Sequence, residues 1–240
     1  MKSKNVFLIF LIFLFLNDIY ADEQISIGLD KENRDCENIT RDTLQEKSFS
    51  KDLVGTFNGK KVEYTASLKE KIIYEKDNPN LPMASFFYTE YISKSNNQRP
   101  VIFSFNGGPG SASLWLHMGV LGPKVIKVPS DATDDGSPPY NIIDNKLSPL
   151  SDADLVFIDP VGTGYSRAIG CHEGEEFWGV SEDPKIIAEF IRRWITDNKR
   201  WNSPRYILGE SYGGIRGPLL VSELRSGSIT PIEVNGLLLV

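Results

Sequence analysis

Short hydrophobic runs recur along the chain, and their spacing predicts strands separated by turns. Residues 53–57 and 62–68 flank Asn58-Gly59, a pair that suits the positive φ angles of a tight hairpin turn. A β-hairpin is therefore expected here. Four further runs have the length and composition of strands, namely residues 83–92, 101–105, 155–158 and 206–208.

The hydrophobic positions change to a helical spacing between the last two of these strands. In residues 182–198 the apolar side chains recur every three or four positions, and Asp183 and Pro184 suit a first helical turn. A second helix is expected over residues 215–224, and residues 234–240 form a last apolar run. This alternation predicts an α/β domain with a mostly parallel sheet and an antiparallel hairpin at its edge.

Composition narrows the class of protein. The 240 residues are 40% hydrophobic and 24% charged, which is typical of a packed globular domain. The formal net charge is −6 and no basic run is present, so nucleic acid is not expected as a partner. Two cysteines allow at most one disulfide and no cysteine-rich metal site, and no metal or cofactor is expected. Whether Cys36 pairs with Cys171, and the oligomeric state, stay open.

The amino terminus has the layout of a secretory signal peptide. Two lysines precede the apolar residues 6–16, and Ala21 is a small residue suited to cleavage. A membrane anchor is the alternative, but a spanning helix needs about 20 apolar residues. We therefore expect a signal peptide over residues 1–21, a secreted or periplasmic protein and no stable membrane anchor after cleavage. Residues 22–50 are expected to be a flexible lead-in, and residues 51–240 the domain itself.

A serine motif marks the end of the strand at residues 206–208. The sequence Gly209-Glu210-Ser211-Tyr212-Gly213 fits Gly-x-Ser-x-Gly between an expected strand and an expected helix, which is the setting of a nucleophile elbow. The alternative is a glycine-rich turn around a buried, hydrogen-bonded serine. A hydrolase also needs two amides for the oxyanion, and those of Tyr212 and Gly108 are the candidates. Gly108 belongs to a glycine-rich loop that, taken alone, also suits a helix start or a phosphate cradle.

Four motifs in order resemble the serine carboxypeptidases, a family of α/β-hydrolases. They are Asn106-Gly107-Gly108-Pro109-Gly110-Ser111, Leu121-Gly122-Pro123, Asp159-Pro160-Val161-Gly162-Thr163-Gly164-Tyr165-Ser166 and Gly209-Glu210-Ser211-Tyr212-Gly213-Gly214 with Pro218. The flanking sequence over residues 53–240 looks like the amino-terminal half of such a protein. Residues 105–123 are most similar to the bacterial branch.

The resemblance implies a role for each motif residue. Ser211 is expected to be the nucleophile, with the Gly108 and Tyr212 amides as the oxyanion hole. Asn106 and Glu210 are expected to hold the free carboxylate of a peptide or protein C-terminus, whose last residue is released through an acyl-enzyme. An ionised Glu210 repels that carboxylate and a protonated one donates to it, so binding is expected to strengthen at acidic pH.

Two departures from the eukaryotic enzymes leave an alternative open. Val120 stands where they carry a second acid, and Ser104 stands where they carry a tryptophan. A serine esterase or acyltransferase on the same scaffold is therefore the alternative enzyme.

The catalytic partners of Ser211 are not evident in the chain. In α/β-hydrolases the acid and the histidine follow the serine, whereas both His117 and His172 precede it. Structural or surface roles are expected for both, and Asp154 and Asp159 also come too early. The expectation is a truncated α/β-hydrolase whose 240 residues show little or no turnover. A non-catalytic protein that binds peptide C-termini is the third alternative.

Overall fold

The structure is a computed structural model that describes residues 38–95, 98–127 and 138–240. The expected signal peptide, residues 1–21, lies outside the described residues, as does most of the expected lead-in. Ten strands are present in the described parts of the chain. They are β1 (Ser48–Phe57), β2 (Lys60–Tyr74), β3 (Pro82–Ser93), β4 (Val101–Phe105), β5 (Lys124–Ile126), β6 (Ile142–Asp144), β7 (Asp154–Ile158), β8 (Arg167–Ala168), β9 (Arg205–Gly209) and β10 (Gly236–Leu239).

The main sheet has the order β1-β2-β3-β7-β4-β9-β10, and β8 pairs with β3. Strands β7, β4, β9 and β10 are parallel neighbours, whereas β1, β2 and β3 pair antiparallel and β3 is antiparallel to β7. The expected α/β fold is therefore confirmed, with a parallel part and an antiparallel edge, but that edge has three strands rather than the two of the expected hairpin. The chain passes from β4 to β7 on one side and returns to β9 on the other. In open α/β sheets such a reversal places the binding crevice at the carboxyl ends of the strands.

Three α-helical segments are described: α1 (Leu114–Leu116), which continues as a π-helix (His117–Leu121), α2 (Glu182–Asp197) and α3 (Gly213–Ser226). The two long helices confirm the expectations from the hydrophobic spacing. The apolar face of α2 packs on the sheet, where the Trp194 ring meets the Phe103 ring edge to face at 5.2 Å. No helix in the described ranges is long and apolar enough to cross a membrane.

Two parts of the chain differ from the sequence expectation. Strand β1 starts at Ser48, inside the segment 22–50 expected to be a lead-in, because residues 48–57 pair in continuous register with β2. Glu46 is also held, since its carboxylate accepts from the amide of Ile72 at 3.0 Å. Residues 142–144 form β6, which the hydrophobic pattern did not predict and which pairs with β5 in a separate two-stranded sheet.

Of the two cysteines, the structure describes only one. Cys171 is disulfide-bonded, and Cys36 lies outside the described residues.

Candidate active site

Ser211 sits at a sharp turn between the carboxyl end of β9 and the start of α3. Its φ angle is 59°, in the left-handed region that costs a non-glycine residue roughly 1–2 kcal/mol. The residue is exposed, and its amide donates to the carbonyl of Val240 at 2.7 Å. A strained, exposed serine between strand and helix has the geometry of a nucleophile elbow. It is not the buried serine of the alternative interpretation.

The glycine before this turn has a steric reason. A Cβ at Gly209 would overlap the carbonyl of Gly213, so the strand and the helix can approach this closely only without a side chain there. A Cβ at Gly213 would lie 3.1 Å from the carbonyl oxygen of Phe105, the last residue of β4. The turn is therefore packed against the neighbouring strand.

The glycine-rich loop after β4, residues 106–110, lies directly against the nucleophile turn, residues 209–213, which carries the expected nucleophile Ser211. A Cβ at Gly107 would overlap the backbone nitrogen of Tyr212 and lie 2.7 Å from the carbonyl oxygen of Glu210. Gly108 has a φ of 109°, which favours glycine, and it is exposed. The two segments expected to supply the oxyanion amides, those of Gly108 and Tyr212, are thus brought together.

Ser211 lines a cavity of about 620 Å³ at this edge of the sheet. Gly108, Glu210 and Asn106 lie on its wall, together with the exposed apolar side chains of Trp115 and Val120. The cavity wall therefore combines Ser211, part of the glycine-rich loop and the polar residues Asn106 and Glu210 with an apolar surface.

Asn106 and Glu210 are joined across the carboxyl ends of β4 and β9. The Asn106 Nδ2 donates to Glu210 Oε2 at 3.0 Å, and the amide of Leu116 donates to Asn106 Oδ1 at 3.1 Å. Asn106 is fully buried, and these two bonds fix which way its amide group faces. The expected pairing of these residues is therefore present in the structure, and their carboxylate-binding role stays a prediction.

A buried ion pair lies behind this arrangement, and the sequence did not predict it. Arg216 Nε donates to Asp183 Oδ2 at 2.6 Å, and Arg216 Nη1 donates to the carbonyl of Asn106 at 2.7 Å. The two side chains are only 1% and 7% exposed. Burial raises the pKa of Asp183, and the charge and hydrogen bond of Arg216 act against that rise. An arginine within the small and apolar residues 213–220 was the available signal.

His117 and His172 are both engaged elsewhere. The His117 ring stacks on Phe157 with centroids 4.6 Å apart, and its Nε2 bonds the hydroxyl of Tyr91 at 2.6 Å. Burial lowers the pKa of His117 to about 4, so the ring is neutral at neutral pH. His172 bonds Glu176 at 2.7 Å and Glu75 at 2.9 Å. Neither ring is among the described residues that line the cavity of Ser211.

The two early aspartates also have other partners. Asp159 accepts from the amide of Ser113 at 2.8 Å, and burial raises its pKa against that bond. Asp154 is fully buried and pairs with Arg200 at 2.7 Å. Within residues 38–95, 98–127 and 138–240, no group of three or more His, Cys, Asp or Glu side chains is arranged to hold a metal ion.

Comparison with known proteins places these motifs in a family. Residues 73–239 match the family model described as "Serine carboxypeptidase". Serine carboxypeptidase-like 9 of Arabidopsis thaliana is 29% identical over 160 residues, which are 64% of this chain and 35% of that protein. Serine carboxypeptidase-like 8 of the same plant is 30% identical over 162 residues, 64% of this chain and 36% of the relative. The chain thus spans about a third of the length of these relatives. They are plant proteins, so similarity to the bacterial branch stays a prediction.

One solved structure gives the scale of the structural likeness. The peroxisomal alpha-beta-hydrolase Lpx1 of Saccharomyces cerevisiae is 12% identical, with a TM-score of 0.40 over 81% of this chain and 43% of that protein. The family assignment therefore rests on the matched residues 73–239.

Proposed function

Because this chain belongs to the serine carboxypeptidase family, we propose that it supplies the nucleophile and the substrate-binding groups of a serine-type carboxypeptidase. The proposed substrate is a peptide or protein with a free C-terminus, and the proposed product is its last residue. The observation that supports this best is the hydrogen-bonded Asn106–Glu210 pair on the wall of the cavity that Ser211 also lines. A secreted location is part of the same proposal.

Recognition of the substrate carboxylate depends on the proton of Glu210. Asn106 Oδ1 is committed to the amide of Leu116, so the side chain offers only N–H donors to a ligand. A protonated Glu210 adds a second donor, whereas an ionised one adds a negative charge next to the ligand's own. Binding of a peptide acid should therefore weaken as Glu210 loses its proton.

In the proposed reaction, Ser211 Oγ attacks the carbonyl carbon of the last peptide bond and gives up its proton. The carbonyl oxygen becomes an oxyanion that the amides of Gly108 and Tyr212 stabilise. Collapse breaks the C–N bond, the leaving amine takes a proton, and water then hydrolyses the ester on Ser211. The two products are the shortened peptide and a free amino acid.

The base that accepts the proton of Ser211 is neither histidine of this chain. The His117 ring stacks on Phe157 and is bonded to Tyr91, and both ring nitrogens of His172 face carboxylates. In α/β-hydrolases the histidine follows the serine, whereas both histidines of these 240 residues precede Ser211. We therefore propose that the base comes from outside these 240 residues. On this proposal the chain binds substrate without turning it over.

The test compares one peptide as its free acid and as its C-terminal amide, by titration calorimetry between pH 4 and pH 8. We expect the acid to bind more tightly, with the largest preference at the lowest pH. Glu210→Gln should flatten the pH dependence, because an amide donates at every pH. Glu63→Gln, at an exposed site on β2, is the matched control and should behave as wild type. Equal binding of acid and amide throughout would contradict carboxypeptidase-type recognition.

The second candidate is a serine esterase or acyltransferase on the same scaffold. The observation that favours it is Val120, an apolar side chain, 59% exposed, on the cavity wall. Indifference to the peptide carboxylate, together with tight binding of an uncharged ester, would select this candidate. Hydrolysis of a peptide by the 240-residue chain that disappears in Ser211→Ala would contradict our placement of the base.

A further inference from the structure

The geometry points to Arg216 as the residue that positions the glycine-rich loop against the nucleophile turn, with Asp183 as the residue that holds Arg216. Neither residue belongs to the four sequence motifs that resemble the family. The inference rests on the proposed function, because it takes the two segments to form the oxyanion hole. Arg216 acts on the site through its neighbours, so it is a positioning residue rather than a catalytic one.

Arg216 controls the start of the glycine-rich loop through a backbone bond. Its Nη1 donates to the carbonyl of Asn106 at 2.7 Å. That carbonyl shares one planar peptide unit with the amide of Gly107, so fixing the oxygen also fixes the direction in which Gly107 and Gly108 leave β4. The bond therefore orients the segment that carries one of the two expected oxyanion donors.

The same guanidinium also contacts the second segment. It lies 5.3 Å from the ring centroid of Tyr212 and 5.2 Å from that of Phe105, within the range of cation–π attraction. Tyr212 carries the other expected oxyanion amide, and Phe105 is the last residue of β4. One side chain thus contacts a residue on each side of the proposed oxyanion hole.

Asp183 fixes the direction of Arg216 from a different helix. It lies in the first turn of α2, and its Oδ2 accepts from Arg216 Nε at 2.6 Å. Replacing a buried ion pair by apolar side chains is often neutral or even stabilising. Stability alone therefore does not account for a charged pair here, whereas the directed bond to Asn106 requires a guanidinium held at a set angle.

The chain contains a second buried pair that serves as a control. Arg200 and Asp154 are 3% and 0% exposed and are joined at 2.7 Å. Asp154 is the first residue of β7 and Arg200 precedes β9, so this pair lies at the amino ends of the strands. A five-residue strand is about 16 Å long, which separates the control pair from the site.

The experiment measures the affinities of two ligands that carry the same C-terminal carboxylate. One is a tripeptide acid, and the other is its isostere with an anionic tetrahedral phosphinate in place of the last amide. Both are titrated into the 240-residue chain carrying Ser211→Ala, which prevents turnover. The ratio of the two affinities reports the oxyanion donors, because only the phosphinate places a charged oxygen between them.

We expect Arg216→Lys to lower the affinity for the phosphinate by about tenfold and that for the tripeptide acid by less than about threefold, since loss of one oxyanion donor costs 100-fold or more in rate. Asp183→Asn should lower the ratio in the same direction. Arg200→Lys should reduce the melting temperature and leave the ratio unchanged. If Arg216→Lys does not fold, Asp183→Asn carries the test.

An unchanged ratio in the Arg216 and Asp183 variants, with both ligands still bound, would overturn the inference and leave the proposed function intact. A parent chain that binds the acid but does not prefer the phosphinate would also overturn it. If the parent chain does not distinguish the tripeptide acid from its amide, the proposed function fails first.

Discussion

A buried arginine–aspartate pair lies at each end of the parallel strands β7, β4 and β9, and the two pairs bind different backbone groups. At the amino end, Arg200 donates to Asp154 and to the carbonyl of Arg99. Asp154 also accepts from the amide of Ser93 at 2.9 Å, so the pair ties the ends of β3 and β7 to the loop before β9. None of these described contacts involves a residue that lines the cavity of Ser211.

At the carboxyl end, the corresponding pair is Asp183 and Arg216. Its backbone contact goes to Asn106, whose side chain reaches Glu210 on the cavity wall. Ser211, beside them, is exposed and has a positive φ angle. The comparison teaches that burial of an arginine–aspartate pair does not by itself indicate function. The two pairs differ in what lies beside the backbone groups that they bind. Only the Asp183–Arg216 pair binds a residue, Asn106, that lies next to the exposed, strained Ser211 on the cavity wall.

The largest effect on stability is expected at the amino end. Asp154→Ala leaves Arg200 buried without its carboxylate, and such a loss costs about 3–5 kcal/mol. Urea denaturation should show this decrease in the free energy of unfolding, while the folded fraction keeps its affinity for a peptide acid. A selective loss of that affinity would mean that the two ends are not separate in function.

The next effect depends on pH and belongs to the segment that follows the carboxyl end of β4. Burial lowers the pKa of His117 to about 4, below the value of about 6.5 expected in the unfolded chain. Its contribution to stability is therefore full above pH 6.5 and is lost as the pH falls to 4, by about 3 kcal/mol in total. Between pH 7 and pH 4, the melting temperature of His117→Gln should decrease less than that of the wild type. An equally steep fall would place the acid sensitivity in other groups.

A smaller effect is expected where the two loops touch. A Cβ at Gly107 would overlap the backbone nitrogen of Tyr212, so Gly107→Ala should destabilise the protein by about 2 kcal/mol and weaken phosphinate binding. Gly214→Ala is the matched control, because a Cβ there meets nothing within 4 Å. The control should be neutral or slightly stabilising. Equal effects of the two substitutions would show that the loops do not need their close contact.

The smallest effect is expected at His172, whose contribution to stability decreases rather than increases as the pH rises. Burial alone would lower the pKa of His172, but hydrogen bonds to Glu176 and Glu75 outweigh it and the pKa is raised. This contribution is present below about pH 6.5 and is lost as the pH rises through the folded-state pKa. His172→Gln should therefore cost about 1 kcal/mol at pH 6 and less at pH 9 in chemical denaturation. A cost that does not change with pH would mean that the charge of His172 is not involved.

Most of the sheet could be predicted because its central strands are buried on both faces. Residues 101–105 form an apolar run broken only by Ser104, and β4 has those bounds in the structure. The first residues of β1 are exposed and show no alternation, so their pairing with β2 leaves no trace in the hydrophobic pattern. Strands β5 and β6 were missed because each has only three residues and none of them is buried.

The site could be predicted only where local chain geometry restricts the residue type. The turn around Ser211 needs glycines at fixed spacing, and that spacing is visible in the sequence. The Arg216–Asp183 contact joins two helices through side chains 33 positions apart, and no local pattern encodes such a bond. Asp183 was interpreted only as a first-turn residue of α2, which it is, but its burial depends on how α3 packs.

The hydrogen bond between the amide of Ser211 and the carbonyl of Val240 has a consequence for biosynthesis. The ribosome adds Val240 29 residues after Ser211, and the amide of Val240 in turn donates to Gly209 at 3.0 Å. A nascent chain therefore contains the serine well before it contains the carbonyl that secures the bend. During translation Ser211 acquires its last backbone hydrogen bond only when β10 and Val240 have been made and have docked on β9.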